Sequence, residues 1–290
     1  MAKRDLSELD RDMHQGLGRI LSENVKDGTS ADEATISEGG LIAGQTAQNT
    51  LAVSATQVYT YGTKRVEDGK IYRYGKGSTS AAKIAGTLQE SKSFGGATTA
   101  AEQDCTVTLG CVAGGSAITV TLKGAETTAD IFKDGTIIVA DGTAGQGNGQ
   151  TRKILSQAVS TGAGDSVVIT VTEPWTVAVT TDAKVAMLAN PYKDFAVCTT
   201  SGPLGFIIGY PAVAVPVATP YCWIQRRGLC GVLSTTGAVV GRELYRDVAA
   251  GGGGGVVESS TSAAMRYEAV GYVAMSGDAT DNIIAYLTIE

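Results

Sequence analysis

The sequence predicts an all-β protein: an antiparallel β-sandwich or barrel domain that carries an inserted small β subdomain and is preceded by an N-terminal arm with a short helix. Three observations predict it. Glycine is very frequent, at 38 of 290 residues. Short runs rich in Val, Ile, Thr and Tyr alternate apolar and small or polar side chains, the period of a half-buried strand. Turn dipeptides such as Asp68-Gly69 and Asp134-Gly135 separate those runs.

The elements follow in order. Residues 5–21 read as an amphipathic helix, with Leu6, Leu9, Met13, Leu17 and Ile20 spaced three or four apart on one stripe. Gly16 and Gly18 weaken it, each by about 1 kcal/mol relative to Ala. A helix this short is marginal alone, so the stripe is expected to dock, and those five residues are the candidate interface with a neighbouring subunit. Residues 22–57 are polar, with Gly39 to Gly44 the only apolar patch. They are too poor in large apolar groups to order themselves and complete an arm over residues 1–57.

From Gln57 the signals are β. Val58 to Tyr61 alternates, Asp68-Gly69 turns into Lys70 to Tyr74, and Ile84 to Gln89 reads as a further strand. Residues 101–189 read as a β unit of their own. Its strands are Cys105–Leu109, Ala117–Leu122, Thr136–Ala140, Thr151–Leu155, Ser166–Thr172, Val177–Val179 and Lys184–Leu188, joined by local Gly-rich turns. Residues 190–290 resume the first pattern with Tyr221–Gln225, Gly237–Leu244, Met265–Val273 and Asn282–Ile289. The expected division is a main domain of residues 58–100 plus 190–290, with 101–189 inserted.

A chain of 290 residues buries a sizeable core without metals or disulfides. The formal net charge is −6, and basic residues occur as isolated pairs: Lys3-Arg4, Lys64-Arg65, Arg152-Lys153 and Arg226-Arg227. A nucleic-acid binder concentrates basic charge on one face, so these pairs read as solvated surface charge and no nucleic-acid partner is expected. Met1 to Asp12 is charged and lacks the apolar core of a secretory signal. No run approaches 18 apolar residues, so no membrane partner is expected.

Five cysteines without CxxC spacing fit neither a disulfide framework nor a zinc site; reduced thiols fit assembly in a cytoplasm. The single histidine, His14, completes no metal or nucleophile constellation. Gly142 to Gly149 looks like a phosphate loop, but it opens no helix and no Gly-Lys-Ser/Thr follows. Asp134, Asp141 and Asp165 sit beside glycines without EF-hand spacing and read as turn formers. No Gly-x-Ser-x-Gly elbow occurs. The expectation is a non-enzyme with no cofactor and no metal. Trp175 and Trp223 are read as core or interface anchors rather than sugar-stacking platforms.

Several motifs then line up. Gly69-Lys70-Ile71-Tyr72-Arg73-Tyr74-Gly75 is followed by Lys83 to Gln89, with Gly86 just ahead of Leu88-Gln89. Asp134 to Gly147 carries an Asp-Gly and Gly-x-Gly pattern. Glu173-Pro174-Trp175 and Asn190-Pro191-Tyr192 follow, and then Tyr221-Cys222-Trp223-Ile224-Gln225-Arg226-Arg227-Gly228. Over residues 60–290 this arrangement resembles structural proteins of tailed-phage virions, including capsid decoration or cement proteins. The resemblance implies a role on the virion without fixing the surface; the location expected is the capsid surface, with assembly in the host cytoplasm. It implies the major capsid protein as partner, self-association as a homotrimer, and a role in stabilising the head. A tail, baseplate or fibre-base protein, or a virion carbohydrate-binding module, is the alternative.

Overall fold

The computed structural model describes residues 35–38, 46–91, 101–123, 129–141, 147–198, 205–247, 254–258 and 269–289. Residues 36–290 form one compact unit. Its described residues are all-β, as the alternation predicts. The helix expected over residues 5–21, with Leu6, Leu9, Met13, Leu17 and Ile20, lies outside the described residues.

The strands are β1 (Thr35–Glu38), β2 (Lys64–Glu67), β3 (Lys70–Gly77), β4 (Gln89–Glu90), β5 (Ala101–Leu109), β6 (Ala117–Thr121), β7 (Thr136–Asp141), β8 (Thr151–Gln157) and β9 (Ser166–Val171). They continue with β10 (Lys184–Leu188), β11 (Lys193–Val197), β12 (Ile207–Pro211), β13 (Tyr221–Leu233), β14 (Glu243–Arg246), β15 (Val256–Glu258), β16 (Ala269–Met275) and β17 (Asn282–Thr288).

Strands β10-β5-β6-β9-β8-β7 close into a barrel, antiparallel throughout, since β10 pairs with both β5 and β7. Alternation does the sorting: β9 places Val167, Ile169 and Val171 inside and Ser166 and Val168 outside. Ile118, Val120, Ile137, Val139, Ile154 and Val185 join them around Trp175, which is fully buried. Each such aliphatic side chain contributes about 1.5–3 kcal/mol on burial.

The other strands form an eleven-stranded sheet in the order β1-β2-β3-β11-β4-β12-β13-β17-β16-β14-β15. An additional β3–β13 pairing closes β3, β11, β4, β12 and β13 into a ring. Against the expected antiparallel pattern, β11 and β3 pair in parallel. Phe195, Ile208, Cys222 and Ile224 fill the ring. Gly75 makes room there: a Cβ on it would lie 2.8 Å from the Tyr192 carbonyl oxygen. A second core lies under β17, β16 and β14, built from Leu244, Val270, Val273, Ile283, Ala285 and Leu287. It is spanned by a buried ion pair, Arg246 Nη1 to Glu90 at 2.7 Å, which ties β14 to β4.

Residues 46–57, expected to belong to the arm, are instead packed on the sheet through Gln48, a buried side chain. Polar bonds hold the segment in place of large apolar groups: those of Gln48, and the backbone pair between Ser54 and Tyr221. Gln48 Nε2 donates to Ala52 O at 2.7 Å and to Tyr221 O at 3.2 Å. Its carbonyl accepts from Trp223 Nε1 at 3.1 Å and from Arg65 Nη1 at 2.9 Å.

Four expected strands are not formed as read. Val58–Tyr61 holds only an isolated bridge at Tyr59. In Ile84–Gln89, Gly86 takes φ of 75° and only Gln89 enters a strand. In Gly237–Leu244, Gly241 at φ 83° interrupts the run and leaves Val239 and Val240 exposed, and only Glu243 and Leu244 enter a strand. Val177–Val179 makes a single bridge from Val179 to Cys111. Positive-φ glycines break a ladder that apolar composition alone favours.

Candidate functional site

Four cations meet at one end of the ring. Lys64 on β2, Arg73 on β3, and Arg226 and Arg227 on β13 line a pocket of about 220 Å³ whose remaining described walls are Ile71 and Ile289. Pairing register explains the gathering. Lys64 lies directly across from Arg73, and Arg227 lies across from both Ile71 and Thr288. Side chains opposite each other across a ladder share a face, so Lys64, Ile71, Arg73 and Arg227 face the same way.

Arg226 joins them through a β-bulge. In a regular strand, neighbours point to opposite faces. Here Gln225 pairs with Tyr72 and Arg227 with Ile71, so Arg226 is the extra residue and the alternation slips by one. The Gln225 side chain, 2% exposed, donates to the carbonyls of Arg227 at 3.1 Å and Leu229 at 2.8 Å, supplying bonds the interrupted ladder does not. Gly228 completes the bulge at φ 88°, a left-handed conformation that a side chain would strain. The Tyr-x-Trp-x-Gln-x-x-Gly run thereby acquires a physical meaning. Tyr221 stacks on Tyr74 and Tyr61, Trp223 packs against Tyr59 and Tyr74, Gln225 braces the bulge, and Gly228 permits it.

Two of the guanidinium groups are anchored. Arg73 Nη1 donates to Gly62 O at 2.9 Å. Arg226 lies over the Tyr192 ring, 5.8 Å from its centroid, and donates to its hydroxyl. Among the described residues no acidic side chain lines the pocket. Two like charges set directly opposite on adjacent strands repel, and Lys64 and Arg73 stand in that relation.

A larger cleft, about 410 Å³, lies beside Lys70, Tyr72, Pro211, Gln225, Cys230 and Asn282. Burial pushes the Tyr72 hydroxyl up to about 12 and the Cys230 thiol up to about 11. Both stay protonated near neutrality, so neither offers a ready nucleophile. Desolvation likewise raises Cys198 and Cys222. No group of three or more His, Cys, Asp or Glu among the described residues is arranged to hold a metal ion. Trp175 and Trp223 are both fully buried, so neither presents a stacking face for a sugar.

A second surface is apolar. Across β13, β17 and β16, Leu229 pairs with Tyr286 and Tyr286 with Tyr272. In the adjacent row Ile284 pairs with Met275. All five side chains are 37–52% exposed. They form a continuous patch on one face of three neighbouring strands.

Sequence reasoning placed the interface on Leu6, Leu9, Met13, Leu17 and Ile20, outside the described residues, and missed both surfaces on the sheet. The signal for the cationic pocket was present in Gln225-Arg226-Arg227-Gly228, where two adjacent cations and a glycine interrupt an alternating strand. No family model, curated protein or solved structure matches the chain.

Proposed function

We propose that this is a non-enzymatic structural protein of a tailed-phage virion, which binds the assembled major capsid protein and stabilises the head, self-associating as a homotrimer. The motif resemblance over residues 60–290 supports this reading. The structural observation that carries it is the exposed patch of Leu229, Tyr272, Met275, Ile284 and Tyr286, held flat on three paired strands. Contiguous exposed apolar surface of this kind serves protein–protein contact, and aromatic residues at its centre suit an interface core. Many copies on one shell turn modest contacts into firm attachment through high effective concentration.

The test is co-sedimentation with heads of the encoding phage assembled without this protein, followed by mapping of its position on the particle. Wild-type protein should sediment with the heads, and a Leu229→Asp/Tyr286→Asp double variant, still folded by circular dichroism, should not. Location at the tail or baseplate would favour the alternative virion role. Failure of wild-type protein to bind any part of the particle would overturn the reading.

A further inference from the structure

We propose that the cleft beside Lys70, Tyr72 and Gln225 is an anchor pocket for a tyrosine side chain of a partner protein. The argument starts from two buried polar atoms. Tyr72 is 4% exposed and Gln225 is 2% exposed, and both line the cleft. The two N–H groups of the Gln225 amide are spent on the carbonyls of Arg227 and Leu229. That fixes which end of the amide is which and leaves Oε1 as an acceptor alone. Among the described residues no hydrogen bond reaches this oxygen or the Tyr72 hydroxyl. The two side chains stand directly opposite each other across the β3–β13 ladder, so they share one face. Buried polar groups are ordinarily paired, and a ligand that pairs these two gains what the chain leaves unmade.

The lining selects the ligand. Leu51, Ala85, Pro211, Ala212 and Leu229 give an apolar wall, and a volume of about 410 Å³ admits a ring-bearing side chain. Among the described lining residues Lys70 alone is charged, and Glu67 stands directly across the hairpin from it. The ligand is therefore neutral. It must donate to Gln225 Oε1 and accept from the Tyr72 O–H, and a hydroxyl does both through one atom. Burial pushes the Tyr72 hydroxyl up to about 12, so it remains a donor at neutral pH. Ser and Thr carry a hydroxyl on too short a stem to cover the apolar wall, whereas tyrosine carries it at the end of a ring. Leu229 belongs both to this cleft and to the exposed patch of Tyr272, Met275, Ile284 and Tyr286. The pocket is thus continuous with a surface suited to protein contact, and interfaces concentrate their energy in aromatic anchors seated in pockets. That the partner is the shell protein rests on the proposed virion role; the chemistry of the pocket does not.

The experiment uses the full-length protein and three probes: N-acetyltyrosinamide, N-acetylphenylalaninamide and phenylacetate. Affinities are read by NMR titration, which reaches weak binding. The tyrosine probe should bind at least about tenfold more tightly than the phenylalanine probe, which leaves both buried groups unpaired. In Tyr72→Phe the tyrosine probe should lose at least about tenfold, while the phenylalanine probe keeps its wild-type affinity and so shows the cleft intact. Tyr286→Phe, on the patch and outside the cleft lining, should bind the tyrosine probe as wild type does.

The proposal is overturned if the tyrosine probe does not bind, if the phenylalanine probe binds as tightly, or if Tyr72→Phe leaves the preference unchanged. Tighter binding of phenylacetate than of the tyrosine probe would make the cleft an anion site and overturn it too. Tyr286 offers the same phenol on a second copy of this chain. Self-association in sedimentation that is lost in Tyr286→Phe would put the chain's own tyrosine in the cleft and overturn the partner assignment. These readouts need no virion. A protein that binds the tyrosine probe but no particle keeps the pocket and loses the proposed function, while the reverse result loses the pocket alone.

Discussion

Between Ala101 and Leu188, each strand finds its partners within that same stretch, and the ring of six closes on one apolar core. In the sheet, β3 must find β13 far along the chain, and Gln48 must reach Trp223 across 175 residues. Their interiors differ as much as their wiring. The buried polar side chains of the barrel are few, Gln157 and Ser160 among them, whereas the sheet buries Gln48, Lys83, Gln89, Glu90, Gln225 and Arg246. Local pairing needs little loop-closure entropy, and long-range pairing needs more. The sheet meets that cost with directional contacts, which specify a single register where an apolar face alone would tolerate several. Among the described residues, Asn190 and Lys193 join the regions. Asn190 Nδ2 donates to Tyr61 O and to Asp134 O, and the Lys193 ammonium reaches Ile131 O at 3.1 Å.

This contrast can be broken in four ways. The largest effect comes from cutting the molecule. Residues 101–189 expressed alone should unfold cooperatively on heating with a β-type circular dichroism spectrum, because their core is internal. A fragment without a cooperative transition would show that the barrel leans on the sheet.

Next is Glu90→Ala. Removing the carboxylate that Arg246 bonds at 2.7 Å leaves a guanidinium in the core without that partner, and breaking a buried pair costs about 3–5 kcal/mol. The loss should fall on the sheet. The chain has two tryptophans, Trp223 in the sheet and Trp175 in the barrel. Fluorescence melts in Trp175→Phe and Trp223→Phe backgrounds therefore report the regions separately. Equal destabilisation of both would mean that they unfold as one unit.

Gln48→Ala comes third. Several hydrogen bonds are lost and the buried Trp223 Nε1–H depends on the Gln48 carbonyl position, so about 1–3 kcal/mol is expected. Hydrogen exchange should speed up at residues 46–58 and leave the barrel amides unchanged.

The smallest effect at neutral pH, and the one that grows with alkalinity, is titration. Desolvation raises Tyr72 from 10.0 to about 12, Cys198 from 9.0 to about 12 and Cys230 from 9.0 to about 11. Each folded value lies above the unfolded one. Their contribution is therefore complete below about pH 9 and is lost as pH rises toward about 12. All three lie in the sheet, and no tyrosine occurs between residues 101 and 188. Tyrosinate absorbance should rise with loss of the sheet while the Trp175 signal of the barrel persists. Loss of the Trp175 signal first would reverse the comparison.

The strands most legible in the sequence are those whose alternation is uninterrupted. Lys184–Leu188 is read with its observed bounds, Ala117–Leu122 and Asn282–Ile289 overrun by one residue, and the Asp68-Gly69 hairpin sits where the turn dipeptide puts it. Ile84–Gln89 and Gly237–Leu244 are misread at a positive-φ glycine, because composition records apolarity and not backbone angle. β13 is read too short for the same reason: Gln225-Arg226-Arg227-Gly228 looks like a strand end and is a bulge inside a strand of 13 residues.

The sequence by itself determined the all-β class, the Asp68-Gly69 turn and the alternating strands of the barrel. Those follow from side-chain period and local turn chemistry, which act over a few residues. Only the tertiary structure decided that Gln48 pins a polar segment, that Glu90 meets Arg246, and that Lys64 and Arg73 share a pocket with Arg226 and Arg227. Each of these depends on register between strands distant in the chain. Register is set by the whole sheet closing at once, and a one-residue slip would move every one of those side chains to the opposite face.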